Sequence, residues 1–313
     1  MFRRIAILLA LVVAGSCIGQ AQTPGADRSK AVLVTGASTG IGRKVTERLA
    51  SNGYFVFAGA RKDADLKALG AIKNVRAVRL DVTRPSDIAA AVETITKEGR
   101  GLYGLVNNAG IATAGSIAET SPEEFDLLMA VNVYGPYRMS RAVLPLIIAA
   151  KGRITNIGSI SGILASPNLG AYAMSKHAIE AFTDSLARQL VDSGVTVNVV
   201  EPGDYNSDIG KSAAQRTGVE SQPARASTYR LRADRSNFKE PDEVAVAVER
   251  ALFEVNPKRR YLVTPNLEEA EATIRKQIQQ LVQLNEGQPY TYDRDVLVKM
   301  LDEALVEARP RAN

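Results

Sequence analysis

The feature that most constrains the fold is an apolar run broken by glycine and followed at once by helical spacing. Residues 31–45 read AVLVTGASTGIGRKV. Residues 31–35 have the length and β-branched character of a buried strand. Gly36, Gly40 and Gly42 follow. Val45 and Leu49 then recur at helical spacing, and Gly53 stands where a helix C-cap is favoured. The same alternation repeats along the chain. Residues 55–59, 75–82, 104–110, 153–159, 196–203 and 260–264 read as strands. Helical stretches fall at 43–52, at about 122–150, around Tyr172 and at 241–253. Strands separated by helices make a parallel sheet with both faces covered. The expected fold is therefore α/β: a single doubly wound domain with a mostly parallel sheet of about seven strands.

Three regions follow from this pattern. Residues 1–28 stand before the first strand, 29–266 carry the sheet domain, and 267–313 form a C-terminal helical extension. The extension contains IRKQIQQLVQL and DVLVKMLDEALV, with apolar spacings of three and four. It is expected to cap the fold or to pair with another subunit. Residues 204–240 are polar and poorly periodic, and interrupt the alternation as a lid or substrate loop does.

The opening, MFRRIAILLALVVAGSCIGQAQTPG, reads as an export signal. Arg3 and Arg4 form a basic start, Ile5 to Ala14 an apolar core, and Gly19-Gln20-Ala21 a small-x-small cleavage site. The apolar core is short of the about 20 residues a membrane span needs. The expectation is an exported or membrane-anchored protein on the periplasmic or lumenal side. The alternative is a cytoplasmic protein whose start codon lies further along.

Composition excludes several function classes. The net charge of +5 includes no dense basic run interleaved with aromatics, which argues against nucleic-acid binding. One histidine, His177, is too few for a His-rich metal site, so no metal is expected. No G-x-S-x-G elbow supports a serine hydrolase. Cys17 is the only cysteine, so no intrachain disulfide can form.

The glycine turn has a chemical use. Between a strand and a helix, small residues let the backbone approach a pyrophosphate, and free N–H groups at the helix start face the anion. Gly36, Ser38, Thr39, Gly40, Ile41 and Gly42 are the candidate phosphate-binding residues. At the end of the second strand an acid would bond an adenosine ribose 2′-hydroxyl. This chain has Arg61 and Lys62 there. A guanidinium pairs with a 2′-phosphate, so NADP is favoured and NAD is the alternative. Asp63 could approach the same hydroxyl. Asp81 and Val82 end the third strand, near the place of an adenine edge.

Together with Asn107-Asn108-Ala109-Gly110, Asn132, Ser159, Tyr172-x-x-x-Lys176 and Pro202-Gly203, the Thr35-Gly36-x-x-x-Gly40-x-Gly42 turn resembles the short-chain dehydrogenase/reductase family. The motifs run in that family's order through residues 31–207. The segments GLYGLVNNAGI and VNVVEPG are similar to the branch containing retinol, hydroxysteroid and 3-hydroxybutyrate dehydrogenases. The resemblance implies a Rossmann-type fold and hydride transfer between a nicotinamide cofactor and a carbonyl or alcohol, acting on CH–OH groups. It also implies a homodimer or homotetramer with a small-molecule substrate.

It further implies roles. Tyr172 and Lys176 share one helix face. A free phenol has a pKa near ~10. The Lys176 ammonium and a positive nicotinamide should both favour the phenolate and lower that value. Tyr172 is the implied general acid/base, and Lys176 also holds ribose hydroxyls. Ser159 is the implied substrate-orienting hydroxyl, although Gly158 stands where the family often has another serine. Asn132, in the middle of a helical stretch, is implied to bind a water that extends a proton relay. Asn107, Asn108, Ala109 and Gly110 are implied to shape the ribose pocket. Pro202 and Gly203 begin the loop under the nicotinamide, and Ser207 replaces the usual threonine near the carboxamide. His177 should point to another face, and Glu201 receives no catalytic role. The competing reading is a catalytically silent dinucleotide-binding sensor or scaffold.

Overall fold

The computed structural model describes residues 30–113, 115–217 and 235–308. The expected signal, with Cys17, lies outside the described residues, as does the middle of the 204–240 segment.

Seven strands and ten α-helices alternate through the described residues. Strand β1 (Ala31–Val34) leads into α1 (Gly40–Ser51), β2 (Phe55–Ala60), α2 (Asp63–Gly70), β3 (Val75–Arg79) and α3 (Pro85–Glu98). Then come β4 (Gly104–Asn107), α4 (Pro122–Asn132), α5 (Tyr134–Ala149), β5 (Arg153–Ile157), α6 (Gly170–Gln189) and β6 (Thr196–Pro202). Helices α7 (Ile209–Thr217) and α8 (Asp242–Phe253), strand β7 (Arg260–Val263), and helices α9 (Leu267–Asn285) and α10 (Arg294–Glu307) complete the set. The sheet order is β3-β2-β1-β4-β5-β6-β7. Every neighbouring pair is parallel.

All four residues of β1 are buried, as expected of a strand covered on both faces. Successive side chains point to opposite faces, and the core divides accordingly. Val32 and Val34 pack with Val45, Leu49, Val248 and Leu252 of α1 and α8. Leu33 packs with Phe57, Ile88, Ile95, Met139 and Ile147, from β2, α3 and α5. The chain leaves β1 toward β2 on one side, while β4 flanks it on the other. Such a switch in direction opens a crevice at the carboxyl ends of the strands.

Three of the sequence-read strands leave the ladder early. Residues 80–82, 108–110 and 158–159 follow the ends of β3, β4 and β5. These overhangs form the crevice walls. The helical stretch at 122–150 is two helices broken at Val133, not one. Pro136 has no N–H to offer the Asn132 carbonyl, so the helical bonding lapses there. Asn132 therefore ends α4 instead of sitting mid-helix.

The C-terminal extension touches the body mainly through the start of α9. The Glu269 carboxylate accepts from the Asp204 backbone N–H at 2.8 Å. Apart from Thr273, α9 buries no residue, and α10 buries none. Ile274, Ile278, Leu281, Leu301 and Leu305 are exposed. Among the described residues, no helix is long and apolar enough to cross a membrane.

Candidate active site

The glycine turn is built by close approach of β1 and β4. The buried Thr35 hydroxyl accepts from the backbone N–H groups of Asn108 and Ala109, both at 3.0 Å, and donates to the Val106 carbonyl at 3.3 Å. The Asn108 amide in turn donates to the carbonyls of Thr35 and Gly36, both at 2.9 Å. This interlock needs glycine at two places. Gly36 has φ +64°, and a Cβ there would lie 2.8 Å from Ala109 Cα. A Cβ on Gly42 would collide with the Gly36 carbonyl and the Asn108 amide. Thr39 places no side-chain cap on α1, and the first turn of α1 holds no acid. The N–H groups that begin α1 thus suit an anion, and the residues present fit a dinucleotide pyrophosphate. Ser207 lies against this loop: a Cβ on Gly40 would sit 3.3 Å from Ser207 Cβ. Its place is beside the anion cradle.

The end of the cleft beyond β2 is open and charged. The Arg61 side chain is 65% exposed, with Nη1 at 4.0 Å from Asp81 Oδ2. Asp81 accepts from the Thr83 N–H at 2.9 Å and the Thr83 hydroxyl at 2.6 Å. Burial pushes its carboxyl up, yet the Thr83 bonds with Arg61 and Arg84 outweigh burial and hold it below the ordinary aspartate range. Asp63, a candidate for the ribose hydroxyl, pairs instead with Arg79 and does not line the cleft.

The other end is buried and cross-tied. Helix α6 carries Tyr172, Ser175 and Lys176. Lys176 is buried and donates to the Ile157 carbonyl at 2.9 Å. Its Nζ lies 5.6 Å from the centre of the Tyr172 ring. Ser159 accepts from the Ser161 N–H at 3.0 Å, and its hydroxyl is near enough to the Tyr172 phenol to favour the phenolate. Space at Gly158 is tight: a Cβ there would lie 2.8 Å from Val199 Cγ2 and 2.9 Å from Glu180 Oε1, so a serine would have to displace both side chains.

Two of the inferred residues have surroundings that their spacing does not show. The first concerns Tyr172. Burial pushes its phenol up to about 12, and the opposing Ser159 hydroxyl and Arg235 charge do not offset it. Lys176 does not lower it, because burial also disfavours the ammonium and brings that group down to about 8. The second concerns Asn132, which does not line the cleft. Its side chain accepts from the Ile111 N–H at 2.9 Å and donates to the Ile111 carbonyl at 2.8 Å and to the Ser175 hydroxyl at 3.0 Å. Ser175 donates to the Tyr172 carbonyl at 2.7 Å. Asn132 thus ties the β4 overhang to the helix turn that presents the phenol.

Asn107 is buried beneath the site and Lys62 does not line it, while the remaining phosphate, ribose and catalytic candidates line one continuous cleft. It runs from Gly36, Arg61 and Asp81, past Asn108, to Ser159, Tyr172, Lys176 and Gly203. His177 is exposed, its Nδ1 2.8 Å from the Ala173 carbonyl on the same helix. No group of three or more His, Cys, Asp or Glu that could hold a metal occurs among the described residues.

Several contributors were not singled out from sequence. Asn156 joins Asn107 at 2.8 Å and Thr183 at 2.9 Å, while Asn107 also donates to Ser140 at 3.1 Å. A polar residue inside the apolar strand RITNI was the available signal. Further along α6, Glu180 lies 3.2 Å from Arg260, and the buried Glu201 of β6 lies 3.8 Å from the same guanidinium. Burial, with the neighbouring Glu180, raises Glu201 to about 8. Asp204, Tyr205 and Arg235 line the cleft from within the 204–240 segment, whose irregular sequence marks no individual residue.

The short chain dehydrogenase family model matches residues 30–218. The chain belongs to the short-chain dehydrogenase family. It is 40% identical over 186 residues to the mitochondrial D-beta-hydroxybutyrate dehydrogenase of Mus musculus, a match covering 56% of this chain and 54% of that relative. The chain thus spans about half the length of that relative. It is 35% identical over 246 residues to a 3-oxoacyl-(acyl-carrier-protein) reductase of Vibrio cholerae, covering 76% of this chain and 94% of the relative. Among solved structures, a short-chain dehydrogenase from Streptomyces avermitilis superposes with TM-score 0.68 at 26% identity, covering 84% of this chain and 99% of that one.

Proposed function

We propose that this short-chain dehydrogenase is an NADP(H)-dependent oxidoreductase that interconverts an alcohol and a ketone or aldehyde, with Tyr172 as general acid/base. The observation that carries the reading is one cleft holding both a glycine cradle for a dinucleotide and the Ser159–Tyr172–Lys176 cluster. The cofactor, when bound, supplies or accepts the hydride.

The residues have distinct tasks. Gly36, Gly40 and Gly42, with the start of α1, hold the pyrophosphate. Arg61, exposed and on the cleft wall, receives the 2′-phosphate, so NADP binds more tightly than NAD. In the reduction direction Tyr172 gives its proton to the substrate oxygen, and in oxidation it takes the proton back. At neutral pH the phenol holds the proton that the donor role requires. Ser159 donates a hydrogen bond to the same substrate oxygen. Lys176 holds ribose hydroxyls and resupplies the proton. Asn132 braces the turn. Its backbone carbonyl, denied an i+4 partner by Pro136, is the acceptor for a relay water. Homodimers or homotetramers, and an exported or anchored location, complete the reading.

The test is Tyr172→Phe with NADPH and a panel of ketones and aldehydes. Turnover should fall at least about 10³-fold, while NADPH fluorescence titration changes little. Equal turnover in the variant would remove Tyr172 from the chemistry. NADPH binding to wild-type protein with no carbonyl consumed would instead favour the silent sensor.

A further inference from the structure

Besides Tyr172 and Ser159, two unlike groups line the cleft. Ile160, Leu164 and Leu169 are apolar. The segment after β6 adds Asp204, Tyr205 and Arg235. Arg235 is held from several directions. Its Nη1 donates to the Tyr205 carbonyl at 3.1 Å and its Nη2 to Asp204 Oδ1 at 3.2 Å. The guanidinium carbon lies 5.4 Å from the centre of the Phe238 ring. Only 16% of the side chain is exposed, against 41% for Asp204. A cation bound on two edges and stacked on a ring loses little freedom when it takes a ligand. Asp204, the more exposed partner, can move toward solvent. The Asp204 backbone is fixed by Glu269 at 2.8 Å, so the loop keeps its place when the carboxylate turns. The charges of Arg235 and Asp204 are both felt at the Tyr172 phenol, in opposite directions, which places the pair within electrostatic reach of the reacting oxygen.

We propose that Arg235 is an anchor for a carboxylate on the substrate, which makes the preferred substrates short oxo acids and hydroxy acids. This rests on the carbonyl-reducing reading above for its chemistry, but the anchor itself is a binding claim. The acid's carboxylate takes the guanidinium, its alkyl portion lies against Ile160, Leu164 and Leu169, and its carbonyl faces Ser159 and Tyr172. A neutral ketone has the last two contacts and lacks the first.

The test separates binding from turnover. Acetoacetate, levulinate and their methyl esters are titrated calorimetrically into NADP⁺-saturated wild-type, Arg235→Met and Arg235→Lys proteins. With the oxidised cofactor the ketones cannot be reduced. Wild-type protein should bind at least one acid about 10- to 100-fold more tightly than its ester, the scale of a charge-assisted hydrogen bond. Arg235→Met should erase that preference and leave ester and NADPH affinities within about twofold. Arg235→Lys, which keeps charge but loses the fork, should fall between. Equal affinity for acid and ester in wild-type protein, or an acid preference that survives in Arg235→Met, overturns the anchor. Weakened NADPH binding in Arg235→Met also overturns it, by assigning the guanidinium to a cofactor phosphate. An acid that binds through Arg235 yet is never reduced by NADPH leaves the anchor standing and sinks the oxidoreductase reading.

Discussion

The two ends of the cleft are built by opposite means. At the Tyr172 end, buried side chains tie four elements together. Asn107, Asn156 and Thr183 link β4, β5 and α6, and Asn132 with Ser175 links α4 to α6. Lys176 is bonded to the end of β5. At the Arg61 end the polar groups are largely exposed, and Arg61 meets Asp81 only at 4.0 Å. Exposed ion pairs add little stability. The chemistry is therefore fixed by the core, and altering it costs folding free energy. On the proposed reading, cofactor preference rests on surface charges and can change at little cost to the fold.

Substitutions can break or sharpen that contrast. The largest effect is expected from Asn156→Ala, which takes one buried partner each from the Asn107 amide and the Thr183 hydroxyl and opens a cavity. Stability should fall by about 2–5 kcal/mol in denaturant unfolding, with turnover reduced as well. A loss below about 0.5 kcal/mol would mean the network is dispensable, and the contrast would fail. Arg61→Ala should act the other way. The preference for NADPH over NADH should drop about 10- to 100-fold in kcat/KM, with the thermal midpoint unchanged. An unaltered preference would move the 2′-phosphate contact elsewhere.

The smallest effect concerns Glu201. Its carboxyl is raised in the folded protein to about 8, so the fold binds a proton there that the unfolded chain releases near the usual glutamate range. Stability from this group is full at low pH and is lost as pH rises through about 8. Glu201→Gln cannot ionise. Its thermal midpoint should equal or trail wild type at pH 6 and exceed it at pH 9. A constant difference across that range would show that Arg260 already neutralises the pair.

What was legible beforehand follows the range of each signal. The strand–glycine–helix junction, the seven strands and the Tyr172–Lys176 spacing are local, and each was visible in a few residues. The role of Thr35 was not, because its partners Asn108 and Ala109 lie 73 and 74 residues away. Asn132 was misplaced in mid-helix although Pro136, four residues on, carries the reason for the break. The acidity of Tyr172 without cofactor was not legible, because spacing shows a nearby ammonium and hides the burial that outweighs it. Arg235 stands in a segment with no periodicity, so only the folded cleft reveals it.

The claim beneath these expectations is that oxidised cofactor binds beside the Tyr172 phenol and makes it a usable base. Ultraviolet difference titration of wild-type and Tyr172→Phe proteins, with and without NADP⁺, measures this directly. Without cofactor the phenol that distinguishes the two proteins should ionise at about 12, and NADP⁺ should bring that ionisation down by one unit or more, on the order expected for a neighbouring cation. A Tyr172 ionisation that saturating NADP⁺ leaves in place would contradict the account.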